Sequence, residues 1–154
     1  MTRRMLTALV ALVGLFVALY LALYKAGIIG TLACGTGGCE TVQLSRWSAF
    51  LGIPVAVWGA GYYAVVLALS LSSIQDRWIA SRGLARAILI LTGWGLIFSL
   101  WLTYLELFVI EAICRWCVVS AALATVLFGL ALWDWNQLRR RPLEGWPRSP
   151  DVDA

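Results

Sequence analysis

The chain has 154 residues, of which 62% are hydrophobic and 13% charged, and its formal net charge is +4. A soluble domain of this length cannot bury so large an apolar fraction, so the composition indicates a membrane protein. The basic residues flank apolar runs instead of forming a cluster, which argues against a nucleic-acid-binding surface. The sequence contains no histidine, which excludes histidine acid–base catalysis and histidine-ligated haem.

Four apolar runs are long enough to cross a membrane as helices. A helix of about 20 residues extends roughly 30 Å, the thickness of the hydrocarbon core. A signal peptide is the alternative for the first run, but its apolar core is usually only about 7–15 residues long. We therefore predict an all-α integral membrane protein, a four-transmembrane-helix bundle. The predicted spans are about residues 5–24, 50–71, 87–107 and 113–133.

The segments outside these runs complete the predicted organisation. After the first span, a Gly-rich loop between Cys34 and Cys39 is followed by a short surface helix over about residues 40–49. The membrane domain is expected to cover residues 1–137. A basic tail over residues 138–154 is expected to be disordered past Pro142.

The charge distribution predicts the orientation in the membrane. With four spans, both termini and the loop between spans two and three lie on one side. The positive-inside rule places the side with more Lys and Arg in the cytoplasm, so all four cysteines fall on the outer side, as in a bacterial inner membrane. Three basic residues are expected outside: Lys25, Arg46 and Arg115. Nine are expected in the cytoplasm: Arg3, Arg4, Arg77, Arg82, Arg86, Arg139, Arg140, Arg141 and Arg148.

The four cysteines form two close pairs, Cys34/Cys39 and Cys114/Cys117. The outer side of a bacterial inner membrane is oxidising, so disulfides persist there. A relay between the pairs is one interpretation, because thiols and disulfides exchange two electrons through mixed disulfides. Two structural disulfides in a non-catalytic membrane protein and a zinc site made by all four cysteines are the alternatives. We predict no metal, because a structural zinc at a lipid boundary has little to stabilise.

The Cys114-x-x-Cys117 motif opens the fourth apolar run. Residues three apart share a face of a helix, so both sulfurs can point the same way. The partial positive charge at a helix start also lowers the pKa of a thiol, and Arg115 adds a full charge. Both features are typical of a redox-active pair, and a quinone dissolved in the membrane could reach Cys117, one turn deeper.

Taken together, these motifs resemble the vitamin K epoxide reductase family, and more narrowly its bacterial homologues that oxidise exported proteins. The resemblance covers roughly residues 6–133 and depends on the order and spacing of the motifs. In the disulfide-generating DsbB proteins, by contrast, the Cys-x-x-Cys pair lies in the first outer loop. The motifs are Cys34-x4-Cys39, then Ser45, then Phe50-Leu51-Gly52-Ile53-Pro54, and last Cys114-Arg115-Trp116-Cys117.

The resemblance implies a role for each cysteine. Cys34 would exchange with a redox partner, and Cys39 would pass electrons to Cys114 through a mixed disulfide. Cys117 would face a quinone, either ubiquinone or menaquinone, and form an adduct or charge-transfer complex with it. Many bacterial members carry a fused thioredoxin-like domain. Here we expect the partner to be a separate periplasmic thioredoxin-like protein of the DsbA type.

The resemblance also implies positions around the quinone. Ser45 matches a hydroxyl near the quinone carbonyl or the active cysteines, although it could instead cap the short surface helix. Trp58 and Tyr62 match aromatic residues that line the quinone pocket, although simple core packing is the alternative. Val55 and Ala121 stand where animal members carry an Asn and a Tyr that bind vitamin K. This departure favours a plain quinone over epoxide reduction in the strict sense.

Two carboxylates remain without an assigned role. Glu106 and Glu111 lie near the outer mouth of the predicted bundle. We expect solvated side chains at both positions, with a proton-transfer role as the alternative.

Overall fold

The computed structural model describes residues 2–30, 32, 38–73 and 82–140, and these are largely helical. Four of its helices are long and apolar enough to cross a membrane. The predicted all-α, four-helix membrane bundle is therefore confirmed. In chain order, the helices are α1 (Thr2–Lys25), the short α2 (Gly38–Leu44), α3 (Val55–Ser72), α4 (Arg82–Leu105) and α5 (Arg115–Arg140).

Several predictions fall outside the described residues. These are the role of Cys34, the position of Arg77 between α3 and α4, and residues 141–154 of the predicted tail, with the disorder expected past Pro142. Residues 138–140, which we assigned to the tail, instead belong to α5. The helix extends this far because Gln137 and Leu138 are good helix formers and the basic end complements the helix dipole.

One end of the bundle is closed by Arg4. Its guanidinium forms an ion pair with Asp134 at 3.4 Å and donates a hydrogen bond to the Ser73 carbonyl oxygen at 2.7 Å. These contacts bring the start of α1, the end of α3 and the last turns of α5 together. The spans therefore alternate in direction, and the Cys114/Cys117 pair lies at the opposite end.

The core of the bundle lies between α1, α3 and α5. Ala11 and Ala18 on α1 are buried against Tyr63 and Val66 of α3 and Leu127 of α5. Lipid tails are as apolar as leucine, so close packing of small residues holds membrane helices together. Other large apolar side chains are exposed on the surface of the helices, among them Phe16 and Ile90.

The outer end of α1 is fixed to the segment that follows it. Gly27 adopts a left-handed conformation with φ 74°, and the N–H groups of Gly27 and Ile28 donate to the carbonyls of Tyr24 and Leu23. This is the Schellman pattern that ends a helix. The Lys25 ammonium then donates to the carbonyl of Gln43, and to Ser48 Oγ at 2.8 Å. The lysine thereby holds residues 38–54, which we call the outer segment after their predicted side of the membrane, against the bundle.

The outer segment differs from the predicted surface helix over residues 40–49. The helix α2 ends at Leu44, and a 3-10 turn over Arg46–Ser48 follows. Ala49–Phe50 then pairs antiparallel with Ile53–Pro54, in a tight hairpin through Leu51 and Gly52. The prediction that the second span begins at residue 50 is therefore wrong, because an apolar run this short can form a strand as well as a helix.

The segment between α4 and α5 is also more ordered than the apolar loop that we predicted. A π-helical turn over Glu106–Ile110 continues directly from α4. It ends at Glu111, which has a left-handed conformation and whose backbone N–H donates to the Glu106 carbonyl. The wider turn changes which side chains face inward, and π-helical turns are frequent at functional sites. Glu106, the first residue of this turn, is buried.

Candidate functional site

A cavity of about 850 Å³ opens in the half of the bundle that contains Cys117. Its walls are mostly apolar and come from α1, the outer segment, α3, α4 and α5. Its size falls within the range of small-molecule sites, which is about 300–1,000 Å³. Four predicted site residues line this one cavity: Ser45, Trp58, Tyr62 and Cys117.

Cys114 and Cys117 lie at the start of α5. Cys114 is the residue before the first helical residue, Arg115, and its carbonyl accepts the first helical hydrogen bond, from Val118 N–H at 3.0 Å. Cys114 is fully buried, whereas Cys117 is partly buried and reaches the cavity. Both are free thiols. We placed both inside the helix, but Cys114 is its cap, so its sulfur lies over the first turn.

The surroundings of Cys114 lower the pKa of its thiol. A hydrogen bond from the Cys117 thiol lowers its pKa, against an opposing effect of burial. The backbone N–H groups of Cys117 and Trp116 also lower the pKa of Cys114. These are the unpaired donors of the first helical turn, which stabilise a negative sulfur at this position. Cys114 is therefore the member of the pair whose ionisation its surroundings favour.

Cys39 lies in the same buried cluster as Cys114. It is disulfide-bonded, fully buried, and packed with Leu21, Val42 and Cys114. The approach of α2 to the residues before α5 depends on Gly38. A Cβ on Gly38 would lie 2.6 Å from the Ile113 carbonyl oxygen, well inside ordinary contact distance. The absence of a side chain at Gly38 thus allows the start of α2, including Cys39, to pack closely against the residues before α5.

Glu106 is not the solvated carboxylate that we expected. Its side chain is only 6% exposed and lines the cavity. One carboxylate oxygen, Oε2, accepts a hydrogen bond from the backbone N–H of Cys114 at 3.2 Å. The carboxylate also hydrogen-bonds the Cys117 side chain. Glu111, by contrast, is exposed.

Ser45 and Trp58 lie at the outer wall of the cavity. The Ser45 hydroxyl donates to the Val42 carbonyl oxygen at 2.8 Å, in the last turn of α2. It makes no capping hydrogen bond from its side chain to the 3-10 turn that follows. The Trp58 indole N–H donates to the Phe50 carbonyl oxygen at 3.3 Å and so joins α3 to the hairpin. Both lining residues are thus oriented by bonds to the outer segment.

Tyr62 carries the polar group that best fits a ligand in the cavity. Its ring packs against Gly95, where an added Cβ would lie 2.4 Å from the ring. Its hydroxyl is buried, and none of the described residues offers it a hydrogen bond. Buried hydroxyls normally have partners, so a carbonyl oxygen of a bound molecule would satisfy it. Val55 and Ala121 also line the cavity but offer only apolar side chains.

This arrangement can perform thiol chemistry next to an apolar site. A planar, largely apolar molecule with a carbonyl group fits the walls and the unpaired Tyr62 hydroxyl. A zinc site is a poor fit, because zinc needs thiolates and Cys39 is in a disulfide. Residues 2–30, 32, 38–73 and 82–140 contain no group of three or more His, Cys, Asp or Glu side chains that could hold a metal ion.

Sequence reasoning missed two residues that shape the site. Glu106 was set aside because it stands where the third apolar run ends, yet a carboxylate inside an apolar segment is itself a signal of function in a membrane protein. Lys25 was treated only as a basic residue on the outer side. Its bonds to Gln43 and Ser48 depend on long-range folding and leave no pattern in the sequence.

Comparison with known families gives one match. The model described as the vitamin K epoxide reductase family matches residues 5–132. The matched region includes the four long helices up to the last turns of α5, together with all four cysteines.

Proposed function

Because the chain belongs to the vitamin K epoxide reductase family, and is thus a multi-pass membrane oxidoreductase, we propose that it oxidises protein thiols outside the cytoplasm and reduces a membrane quinone. The electron donor is a separate thioredoxin-like protein, and the acceptor is ubiquinone or menaquinone. The product of this activity is a disulfide in the donor, which supports disulfide-bond formation in exported proteins.

The observation that carries this proposal is the placement of the cysteines. Cys39 and Cys114 are neighbours in one buried cluster, and Cys117 reaches the cavity. Thiol–disulfide exchange needs the attacking sulfur to approach the disulfide directly. A disulfide that served only as a staple would not need a second pair of cysteines packed beside it.

The relay assigns each cysteine a step. One donor thiol attacks the Cys34–Cys39 disulfide at Cys34, and the second donor thiol then displaces Cys34, which leaves a disulfide in the donor and both Cys34 and Cys39 reduced. The reduced Cys39 then attacks Cys114 of an oxidised Cys114–Cys117 pair, and Cys117 leaves as a thiolate. Attack by Cys34 on the Cys39–Cys114 bond restores the first disulfide and leaves both Cys114 and Cys117 reduced. Cys39 is disulfide-bonded and Cys114 and Cys117 are free here, the redox state that precedes transfer to the acceptor.

The cavity residues would hold the acceptor beside Cys117. When bound, a quinone supplies a two-electron acceptor that returns Cys114 and Cys117 to a disulfide. Tyr62 would donate a hydrogen bond to a carbonyl oxygen, and Ser45 and Trp58 would bound the head group on the outer side. The apolar walls exclude water from Cys117. Apolar Val55 and Ala121 favour a plain quinone over the epoxide.

The direction of electron flow follows from the orientation that we propose. The termini lie in the cytoplasm of a bacterial cell, and the cysteines lie on the outer side of the inner membrane. In this orientation, the end of the bundle at which Arg4 pairs with Asp134 is the cytoplasmic end, opposite the Cys114/Cys117 pair. The outer compartment is oxidising and its dithiols are substrates, so electrons pass inward to the quinone.

The Cys117→Ala variant tests this proposal. In lipid vesicles without oxygen, it is expected to reduce no quinone when supplied with a reduced thioredoxin-like protein. Its Cys34/Cys39 pair should still be oxidised by an added soluble disulfide. The quinone is followed by its ultraviolet absorbance and the thiols by alkylation and mass. Quinone reduction at the wild-type rate by this variant would show that Cys117 is not the residue that faces the acceptor.

A further inference from the structure

We propose that Glu106 is a catalytic residue that takes the proton of the Cys117 thiol and delivers it to the bound quinone. This inference rests on the proposed function and adds a proton path to it. The carboxylate touches the reacting sulfur directly, through a hydrogen bond with the Cys117 side chain. It also lines the cavity in which the acceptor would lie.

The geometry holds one carboxylate oxygen in place. Oε2 of Glu106 accepts the backbone N–H of Cys114 at 3.2 Å, so the carboxylate is fixed to the start of α5. Glu106 is the first residue of the π-helical turn, and its side chain is buried inside the bundle. At 6% exposure, the carboxylate is far from bulk water, and burying a charge there is costly unless it has a function or a partner.

The two thiols explain why a base is needed. Adjacent thiols in a buried site do not both ionise, because the second negative charge is repelled by the first. The cap position gives that charge to Cys114, whose pKa is lowered by the Cys117 hydrogen bond. Cys117 is left protonated, yet it is the sulfur that reaches the cavity. A carboxylate in contact with it can remove the proton.

The reaction balances with the quinone as the oxidant. The S–H bond of Cys117 breaks, and its proton forms an O–H bond with Glu106. The sulfurs of Cys114 and Cys117 then join in a disulfide, and two electrons pass to the quinone. Glu106 returns its proton to a quinone oxygen, and a second proton comes from water on the outer side. The products are a disulfide, a hydroquinone and Glu106 again as a carboxylate.

The test compares Glu106→Gln with Glu111→Gln. Glutamine keeps the acceptor for the Cys114 N–H but cannot take up a proton. Glu111 is an exposed carboxylate five residues away in sequence, so its variant controls for loss of charge at the outer end. General base catalysis contributes about 100-fold or more. We therefore expect Glu106→Gln to reduce quinone about 100-fold more slowly, with exchange between the donor protein and Cys34/Cys39 unchanged, and Glu111→Gln to match the wild type.

A second readout does not involve quinone. In a Cys114→Ala background, the alkylation rate of Cys117 by a small reagent is measured against pH. With Glu106 present, we expect the rate near neutral pH to be higher than with Gln, because the carboxylate takes up the thiol proton, and to depend less steeply on pH. A carboxylate that only repelled the thiolate would have the opposite effect, and Gln would speed alkylation. Glu106→Asp, which keeps the carboxylate but shortens the side chain, is expected to fall between the two.

The outcomes separate the two proposals. Wild-type protein that reduces no quinone would overturn the proposed function itself. Active wild-type protein, with equal quinone reduction in Glu106→Gln, would overturn the role of Glu106 alone. A slower quinone step with unchanged or faster Cys117 alkylation would also overturn it, because Glu106 would then affect the quinone step without taking up the Cys117 proton. If Glu106→Gln does not fold, wild-type rates in Glu106→Asp for both readouts would overturn it as well.

Discussion

Replacement of Gly38 by alanine should slow exchange between the two cysteine pairs. The added Cβ would lie 2.6 Å from the Ile113 carbonyl oxygen, whereas ordinary contact begins at 3.4 Å. The start of α2 must therefore withdraw by about 0.8 Å, the difference between these distances. Cys39 is the next residue and moves with it. Because misplacement of reacting groups by about 1 Å can cost about 100-fold in rate, we expect formation of the Cys39–Cys114 bond to slow about 10- to 100-fold.

The assay isolates that bond in a background with Cys34→Ala and Cys117→Ala, which leaves only Cys39 and Cys114. A mild soluble oxidant is added, samples are quenched with an alkylating reagent at intervals, and the disulfide is followed by mass. Gly129→Ala is the matched control, because a Cβ there meets nothing within 4 Å. Equal rates for Gly38→Ala and its parent, with α2 still folded, would refute the claim that this close approach positions Cys39.

Two further predictions concern the neighbouring tyrosines and Cys114. Tyr62→Phe should raise the KM for quinone about fivefold without loss of stability, as expected for one lost hydrogen bond worth about 1 kcal/mol, because the described residues give its hydroxyl no partner. Tyr63→Phe should do the reverse and lower the melting temperature with little change in KM, since the Tyr63 hydroxyl hydrogen-bonds the carbonyl oxygen of Ser120 at 2.8 Å and its Oγ at 2.9 Å. Identical effects of the two substitutions on KM and melting temperature would contradict this prediction. The ultraviolet absorbance of the Cys114 thiolate should titrate with a midpoint below the usual thiol pKa of about 8.5. Cys117→Ala should raise this midpoint, because the Cys117 hydrogen bond is the largest cause of the lowered pKa of Cys114. Since the pKa of Cys114 is lowered in the folded state, ionised Cys114 stabilises the reduced protein at alkaline pH, and that stability is lost as the pH falls through the folded-state pKa. A titration midpoint at the usual thiol pKa would show that the helix start does not activate Cys114.

The four spans could be predicted because apolar length is a local property of the sequence. Each helix needs only enough apolar residues to cross the hydrocarbon core, and this does not depend on its neighbours. The cysteine pairs could be recognised from their spacing, which also placed Cys117 within reach of an acceptor in the membrane. Trp58 and Tyr62 came from the family resemblance, and the structure brings them to the same cavity as Cys117.

The remaining features depend on local geometry that spacing does not reveal. The burial of Glu106 depends on how the end of α4 packs against the other helices, and the sequence of the apolar run does not show that packing. Cys114 and Cys117 share a face whether the helix starts before or after Cys114, so the capping position of Cys114 was not distinguished. The run Phe50–Pro54 is apolar in either a strand or a helix, and only the fold makes it a hairpin.

The central claim is that electrons pass from a protein dithiol through both cysteine pairs to a quinone. The most direct measurement is made without oxygen, in lipid vesicles that contain quinone and catalytic amounts of this protein. A reduced thioredoxin-like protein is added, and the amounts of quinone reduced and of donor disulfide formed are compared. The account predicts that one quinone is reduced for each disulfide formed in the donor, and that this requires both Cys39 and Cys117. Donor thiols that stay reduced while the vesicles hold active, folded protein and excess quinone would contradict it.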